Sequence, residues 1–325
     1  MRTFLLLVLA AVVTLTMQRY VGGETIYAAQ NVAQRDSAHQ LLLTNRLPPG
    51  QTWRSIGLAG ARARAATVFL AEEIHRASGL TLRQTYLIID TLALFASLLV
   101  LYGFLTLVAP PALALYGWLY FCLTLPLTYA LFVFHPWDRL SVLFWLAALY
   151  CLRAERLLAF AGMLVAGMLV KYDMVLLPGL YFLASVRRDN VRRVTLITAA
   201  LSLLALGTYV FLSLQFGDGI GPRDQVWRQV SRNLAYFASE VFVYPPLLAF
   251  AVPLGLAALG WSTADRFARA AVAFAGVQAV LLFLITNFQE VRAEVPVLIL
   301  LLPAALAGLR TLLPAVAPAP RPGAP

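Results

Sequence analysis

The sequence predicts an all-α, polytopic transmembrane protein with about ten spans. Hydrophobic residues make up 61% of the chain and charged residues only 12%, about half the charged share of a soluble domain. Apolar runs recur from residue 3 to residue 317, and one long polar interruption, residues 20–84, follows the first of them. We therefore expect a single membrane domain over residues 1–317 with one large outer loop between its first two helices.

The first apolar run, Phe4 to Met17, is short enough to be either a membrane helix or a signal-peptide core. The following stretch, MQRYVGGE, offers no small-x-small cleavage site, which favours a retained helix. Within the loop, ARARAATVFLAEEIHRASG places apolar side chains on one helical face and charges on the other. This pattern predicts an amphipathic helix that lies flat on the membrane.

Nine further apolar runs follow the loop. Those near residues 140, 157 and 174 are shorter than the roughly 20 residues that cross a bilayer, so we expect tilted, broken or partly re-entrant helices there. The runs cover 86–108, 112–134, 140–152, 157–170, 174–186, 194–214, 236–261, 270–285 and 295–313. The last residues, PAVAPAPRPGAP, predict a disordered tail that includes 318–325.

The short loops between the runs indicate the orientation of the chain. RRDNVRR, residues 187–193, carries four arginines against one aspartate, and it lies inside if the N-terminus is cytoplasmic. The loops on the other side mix signs and hold most of the acidic residues. We therefore expect a multi-pass protein of a bacterial inner membrane, with a cytoplasmic N-terminus and the 20–84 loop outside.

The charge pattern also narrows the partners. The formal net charge of +10 comes almost entirely from arginine, since Lys171 is the only lysine. These arginines stand in short clusters between apolar runs, so we expect membrane lipids and no nucleic acid as partners. Cys122 and Cys151 lie inside apolar runs, the three histidines are far apart, and no spacing predicts a bound metal or a required cofactor.

Ionisable residues collect at the outer ends of the predicted helices. Charges at the hydrocarbon edge are costly unless they pair or face water, so this set is a candidate functional site. The alternative is that its members only anchor helix ends at the interface. The set comprises Glu24, His135, Asp138, Arg139, Lys171, Asp173, Glu290, Arg292 and Glu294.

Two places in this set suggest anion binding. Lys171 ends a glycine-containing apolar run, and we expect it either to bind an anionic group such as a lipid phosphate or to pair with Asp173. Glu290 and Arg292 stand just before a proline in NFQEVRAEVP. They are expected either to hold a polar or phosphorylated ligand or to form a simple ion pair.

Glu24 is the candidate for acid–base chemistry. It follows two glycines directly after the first helix, where the backbone can approach a ligand closely. A carboxylate there can act as a general base on an acceptor hydroxyl that attacks a sugar anomeric carbon. Asp36 is the reserve candidate, and a polar helix end is the alternative interpretation of Glu24.

In this arrangement the chain resembles the GT-C class of integral membrane glycosyltransferases, which use polyprenyl-phosphate-linked sugars as donors. An acidic residue soon after helix one and a long outer first loop match that plan, as do a glycine-containing helix with a basic end, GMLVKYD, and an arginine before a late helix that starts with proline, EVRAEVP. The resemblance covers residue 1 to about residue 313. It implies glycosyl transfer on the outer face of the membrane, and a divalent metal is compatible with it.

The resemblance assigns roles to the candidate residues. It makes Glu24, with Asp36 in reserve, the catalytic carboxylate, and the other outer residues the binding site for the polyprenyl-phosphate sugar. Two other functions fit the same charges: a transporter or lipid-translocating protein whose path they line, and an inactive assembly partner that docks another membrane protein through the outer loop. No residue pattern identifies a protein partner.

Overall fold

The computed structural model describes residues 2–23, 28–51, 66–129, 137–216, 224–286 and 291–313, and all regular structure within these ranges is helical. The all-α prediction is thereby confirmed for the described part of the chain. The helices are α1 (Arg2–Thr16), α2 (Ala29–Thr44), α3 (Ala66–Ser78), α4 (Leu82–Thr106), α5 (Pro111–Thr124), α6 (Asp138–Arg153), α7 (Leu157–Val170), α8 (Leu177–Ser185), α9 (Val191–Phe216), α10 (Asp224–Phe237), α11 (Glu240–Gly260), α12 (Arg266–Ile285) and α13 (Val291–Leu312).

Six helical segments in the described ranges are long and apolar enough to cross a membrane, which agrees with a membrane-embedded protein. Two of the runs that the sequence predicts to be short are short helices in the structure, α7 and α8. The six long segments are Thr3–Gly22, Leu82–Thr106, Pro111–Tyr129, Val191–Gln215, Arg266–Ile285 and Val291–Leu312.

The last helix, α13, is the centre of the bundle. Its side chains are buried almost continuously from Val291 to Leu306, and α5, α6, α11 and α12 pack around it. It stays helical through Pro296 and Pro303, each of which removes one hydrogen-bond donor from the helix. The residues that line a site at the start of α13 are therefore held by the most buried element of the fold.

The bundle has two ends that differ in composition. At one end, which we call the charged end, α6 and α13 begin and α7 ends, and Asp138, Lys171 and Arg292 meet there. At the other, which we call the opposite end, Arg153 at the end of α6 pairs with Asp265 before α12 and donates to the carbonyl oxygen of Leu107.

Two helices of the first loop cover the charged end. Ala38 and Leu42 of α2 and Val68 of α3 pack against Trp137 and Val170, the neighbours in sequence of Asp138 and Lys171. Helix α3 lies within the segment predicted to be amphipathic, and its buried residues are Thr67, Val68, Ala71 and Glu72. Two of its large apolar side chains, those of Phe69 and Leu70, remain exposed. The loop helices therefore form part of the wall around the candidate site.

Candidate functional site

Four of the predicted site residues come together at the charged end. The Nζ atom of Lys171 lies 3.5 Å from Oδ1 of Asp138 and 3.5 Å from Oδ2 of Asp173. The Nε atom of Arg292 lies 3.6 Å from Oδ2 of Asp138. We call these four residues the Lys171 cluster. The carboxylate of Asp138 is central to the cluster, because it contacts two cations that lie at different helix ends.

The local backbone explains how Lys171 reaches the cluster. Its φ of −157° and ψ of 120° are extended, so α7 ends and a 3-10 turn over Tyr172–Leu176 follows. The turn folds back on α7 at Gly167, where a β-carbon would overlap the side chain of Met174. The glycine in GMLVKYD thus gives room to the flexible end of the Met174 side chain beside α7.

The contacts in the cluster are long although its members are buried. Lys171 and Arg292 are each 8% exposed, yet their carboxylate contacts of 3.5–3.6 Å exceed the 2.7–2.9 Å of a tight charge-assisted hydrogen bond. Trp145 donates from Nε1 to Oδ1 of Asp173 at 3.4 Å, which is also long. The cluster thus brings two cations and two carboxylates together at contact distances longer than those of tight charge-assisted hydrogen bonds.

Arg139 turns away from the cluster toward a neighbouring aromatic ring. Its guanidinium carbon lies 4.2 Å from the ring centroid of Tyr129, a close cation–π contact. The π-helical turn Met17–Gly22 packs beside the same tyrosine, since a β-carbon on Gly22 would lie 3.5 Å from the Tyr129 ring. The segment that leads to Glu24 thus runs along the Arg139 side of the site.

A buried amide lies in the same turn. Gln18 is 7% exposed, and neither its Oε1 nor its Nε2 has a hydrogen-bond partner among the residues that the structure describes. A buried amide without partners costs free energy and calls for an explanation such as a bound polar molecule. Gln18 is not among the site residues predicted from the sequence, although a glutamine four residues before the GG pair is a visible signal.

A second polar network joins the first-loop helices to the bundle. His39 of α2, which is fully buried, bonds through Nδ1 to the hydroxyl of Tyr86 of α4 at 2.8 Å and through Nε2 to Oε2 of Glu72 of α3 at 3.0 Å. Arg76 donates to the other Glu72 oxygen at 2.8 Å. The hydrogen bond with His39, followed by the contact with Arg76, lowers the pKa of the Glu72 carboxyl. We call these four residues the His39 network.

The remaining predicted residues have different outcomes. Asp36 makes its ion pair with the adjacent Arg35 at 3.0 Å, and its side chain is 41% exposed. Glu294 is buried two residues after Arg292. Glu24, His135 and Glu290 lie outside the described residues, as does the predicted tail at 318–325. Lys171, Asp138, Asp173 and Arg292 are the ones that the structure brings into mutual contact.

The chemistry of the cluster suits an anionic group. The described residues contain no group of three or more histidine, cysteine, aspartate or glutamate side chains arranged to hold a metal ion. The Lys171 cluster is formally neutral, with two carboxylates that face a lysine and an arginine, so a phosphate would bind there by replacing a carboxylate at the two cations. A phosphate, which both cations attract, is the better match to this donor set.

A cavity of about 360 Å³ opens at the opposite end of the bundle, between Val108, Pro303 and Arg310. Its acidic residue, Asp265, already has two structural roles. It accepts from the backbone N–H of Ala268, which caps α12, and it pairs with Arg153 at 2.7 Å. We therefore place the candidate site at the Lys171 cluster.

Comparison of the chain with family models, with curated proteins and with solved structures found no match.

Proposed function

We propose that this protein is a membrane glycosyltransferase that moves a sugar from a polyprenyl-phosphate donor to an acceptor at the outer face of the membrane. In this proposal the chain crosses a bacterial inner membrane about ten times with its N-terminus in the cytoplasm. The charged end then faces outward, because four arginines of the 187–193 loop are retained inside.

The geometry of the Lys171 cluster carries the proposal. Two cations from different helix ends, each more than nine-tenths buried, share the carboxylate of Asp138 at 3.5–3.6 Å. Buried charges are retained at a cost in stability, and such residues in membrane segments are typical of functional sites. A donor phosphate that enters between Lys171 and Arg292 gains charge-assisted hydrogen bonds from both.

The neighbouring residues support a role in sugar transfer. In the proposed step the acceptor hydroxyl oxygen bonds to the anomeric carbon, and the bond from that carbon to the phosphate oxygen breaks. The polyprenyl phosphate leaves with the bonding electron pair, and Glu24 takes the hydroxyl proton. The turn before Glu24 packs beside Tyr129, and the buried amide of Gln18 in this turn offers hydrogen bonds to sugar hydroxyls.

The first test is turnover in a bilayer. Purified protein in lipid nanodiscs is incubated with a panel of polyprenyl-phosphate sugars, and release of polyprenyl phosphate is measured. We expect release by the wild type and none by Glu24→Gln, with Asp36→Asn as the matched control that retains release if Asp36 only pairs with Arg35. If Asp36→Asn abolishes release and Glu24→Gln does not, the reserve residue is the base.

A charge-balanced pair of variants tests the phosphate site. Lys171→Met leaves two carboxylates facing one arginine, so we expect loss of both donor binding and stability, the latter by about 3–5 kcal/mol. Lys171→Met combined with Asp173→Asn restores the balance around the Asp138–Arg292 pair. We expect the double variant to regain stability and to remain unable to bind the donor.

Two results would overturn the proposal. One is donor binding by the double variant at wild-type strength, which would remove the phosphate from Lys171. The other is the absence of release from every donor together with flux of a lipid or solute in proteoliposomes that Lys171→Met abolishes. That second result would make the same charges part of a transport path.

A further inference from the structure

Helix α10 has a strongly two-sided surface. Its apolar residues Val226, Val230 and Phe237 follow one face, and Trp227 and Leu234 lie at the edge of that face. Arg228 and Arg232 lie on the other side of the helix. At 100° per residue they are roughly 100–160° around the helix axis from Trp227 and Leu234. In chain order the helix lies between α9 and α11, and it is not one of the helices that are long and apolar enough to cross a membrane.

Contacts with α12 fix the level and the rotation of α10. Asn233 is fully buried and donates from Nδ2 to the carbonyl oxygens of Phe283 at 2.6 Å and Thr286 at 2.9 Å. The ring of Phe237 also packs on Phe283, with centroids 6.1 Å apart. Because α12 ends at Ile285, α10 is attached at the level where a membrane span ends.

The attachment leaves three large apolar side chains of α10 exposed at this level, among them Phe237, which is half exposed although it packs on Phe283. Trp227 is 75% exposed and Leu234 is 57% exposed, and Ile285 at the end of α12 is exposed as well. Arg228 and Arg232 are also exposed, on the other side of the helix, and the guanidinium of Arg232 lies near the Tyr236 ring. Tryptophan and tyrosine with adjacent arginines are typical of the bilayer interface.

We propose that α10 is an interfacial helix that binds the surface of the bilayer at the charged end. Trp227 and Leu234 enter the boundary between head groups and acyl chains, and Arg228 and Arg232 contact the phosphates of anionic lipids. The occupant is lipid because the exposed pair lies at the level where the apolar α12 ends and because the polar side carries positive charge. This inference does not depend on glycosyl transfer.

The depth of Trp227 is measurable by fluorescence. Trp118, Trp137 and Trp145 are buried but Trp261 at the opposite end is 46% exposed, so the signal of Trp227 is taken as the difference between wild type and Trp227→Phe. The protein is reconstituted in phosphatidylcholine vesicles whose lipids carry bromine near the top or near the end of the acyl chain. We expect the Trp227 signal to be quenched more strongly by the shallow bromine.

Head-group selectivity is tested with the same signal. Bromine is placed only on phosphatidylglycerol or only on phosphatidylcholine in vesicles of equal mixed composition. We expect phosphatidylglycerol to quench Trp227 preferentially, and this preference to fall about fivefold for each arginine lost in Arg228→Gln and Arg232→Gln, from about 1 kcal/mol per arginine. Arg192→Gln with Arg193→Gln, an exposed pair at the start of α9, is the control that leaves the preference unchanged.

Three outcomes would overturn the inference. Quenching of Trp227 by aqueous iodide without quenching by brominated lipid would place the helix in water. Protection from both quenchers would mean that protein covers the face. Equal quenching by the two brominated lipids in the wild type would remove the role of the arginines.

Discussion

The charged end and the opposite end of the bundle hold their helices together by different means. At the opposite end α11 and α13 cross through glycine, since a β-carbon on Gly308 would overlap the carbonyl oxygen of Leu256. Arg153 and Asp265 complete this end with a contact of 2.7 Å. At the charged end the ion pairs of the Lys171 cluster measure 3.5–3.6 Å. The opposite end is therefore held by close backbone contact and a short ion pair, whereas the charged end has a buried cluster whose ion pairs are longer.

The two ends therefore differ in the contacts that hold them together. Backbone contact through glycine adds packing energy and leaves no space for a ligand. In the Lys171 cluster stability depends on charge balance, because removing one partner of a buried ion pair leaves an uncompensated charge. We therefore expect substitutions at the opposite end to affect stability alone, and substitutions that remove a cation of the Lys171 cluster to affect both stability and ligand binding.

The largest effect is expected at the glycine crossing. Gly308→Ala places a methyl group against the backbone of Leu256, which no side-chain rotation can relieve. We expect a loss of about 3 kcal/mol or more, from forced separation of α11 and α13. Thermal unfolding in detergent measures it, with Gly255→Ala on α11 as the control, because a β-carbon there meets open space. Equal melting of Gly308→Ala and wild type would contradict the proposed crossing.

Asp138→Asn separates stability from binding in the cluster. The change removes the carboxylate that Lys171 and Arg292 share, so two buried cations lose a counter-charge and we expect a loss of about 3 kcal/mol. Both cations remain, so polyprenyl phosphate should bind at least as tightly as to wild type. Lys171→Met, by contrast, is expected to lose binding of the donor as well as stability.

Calorimetric titration with polyprenyl phosphate tests this separation. Asp265→Asn at the opposite end is the matched control: asparagine can still cap α12, the ion pair with Arg153 is lost at a cost of up to about 1 kcal/mol, and binding is unchanged. If Asp138→Asn loses binding as completely as Lys171→Met, the cations alone do not form the phosphate site, and the contrast between the two ends weakens.

A smaller effect is expected where the first loop joins the charged end. His39→Ala leaves Glu72 and Tyr86 without their shared partner, which costs about 2 kcal/mol for buried polar groups. Because α2 and α3 cover Trp137 and Val170, the same change should increase protease cleavage of the loop. Gln40→Ala, at the next and exposed position of α2, is the control. Unchanged cleavage of both variants would show that other contacts hold the loop in place.

The amino-acid sequence is most informative where a single rule suffices. Apolar runs predict helices, and several of the described bounds follow them closely, as at 157–170. The alternation of helix direction predicts that Asp138, Lys171 and Arg292 lie on one side of the membrane, and their contacts of 3.5–3.6 Å are a finding of the structure. The lone lysine after a glycine-containing run stands out in the sequence itself, because a charge beside an apolar run is costly wherever it stands.

Contacts that depend on packing are not predictable in this way. His39 and Glu72 are 33 residues apart, and His39 and Tyr86 are 47 apart, so only the docking of three helices brings them together. Asp36 forms an ion pair with the adjacent Arg35, and this contact depends on side-chain conformations that the sequence pattern does not specify. The amphipathy of α10 is present in the sequence, but its attachment through Asn233 depends on the packing of α12.

The smallest expected effect concerns pH and the His39 network. The pKa of Glu72 lies below its ordinary value of 4.5, because His39 and Arg76 favour the carboxylate. A depressed pKa in the folded state means that the carboxylate adds stability above pH 4.5 and that this contribution is lost as the pH falls through the lowered pKa. Melting temperatures of wild type and Glu72→Gln should therefore differ at neutral pH and converge in acid.

The control is Glu73→Gln, on the exposed side of α3, whose melting temperature should follow that of wild type at every pH. Equal melting temperatures of wild type and Glu72→Gln at neutral pH would mean that the Glu72 carboxylate does not stabilise the loop. The charged end would then not differ from the opposite end through the His39 network.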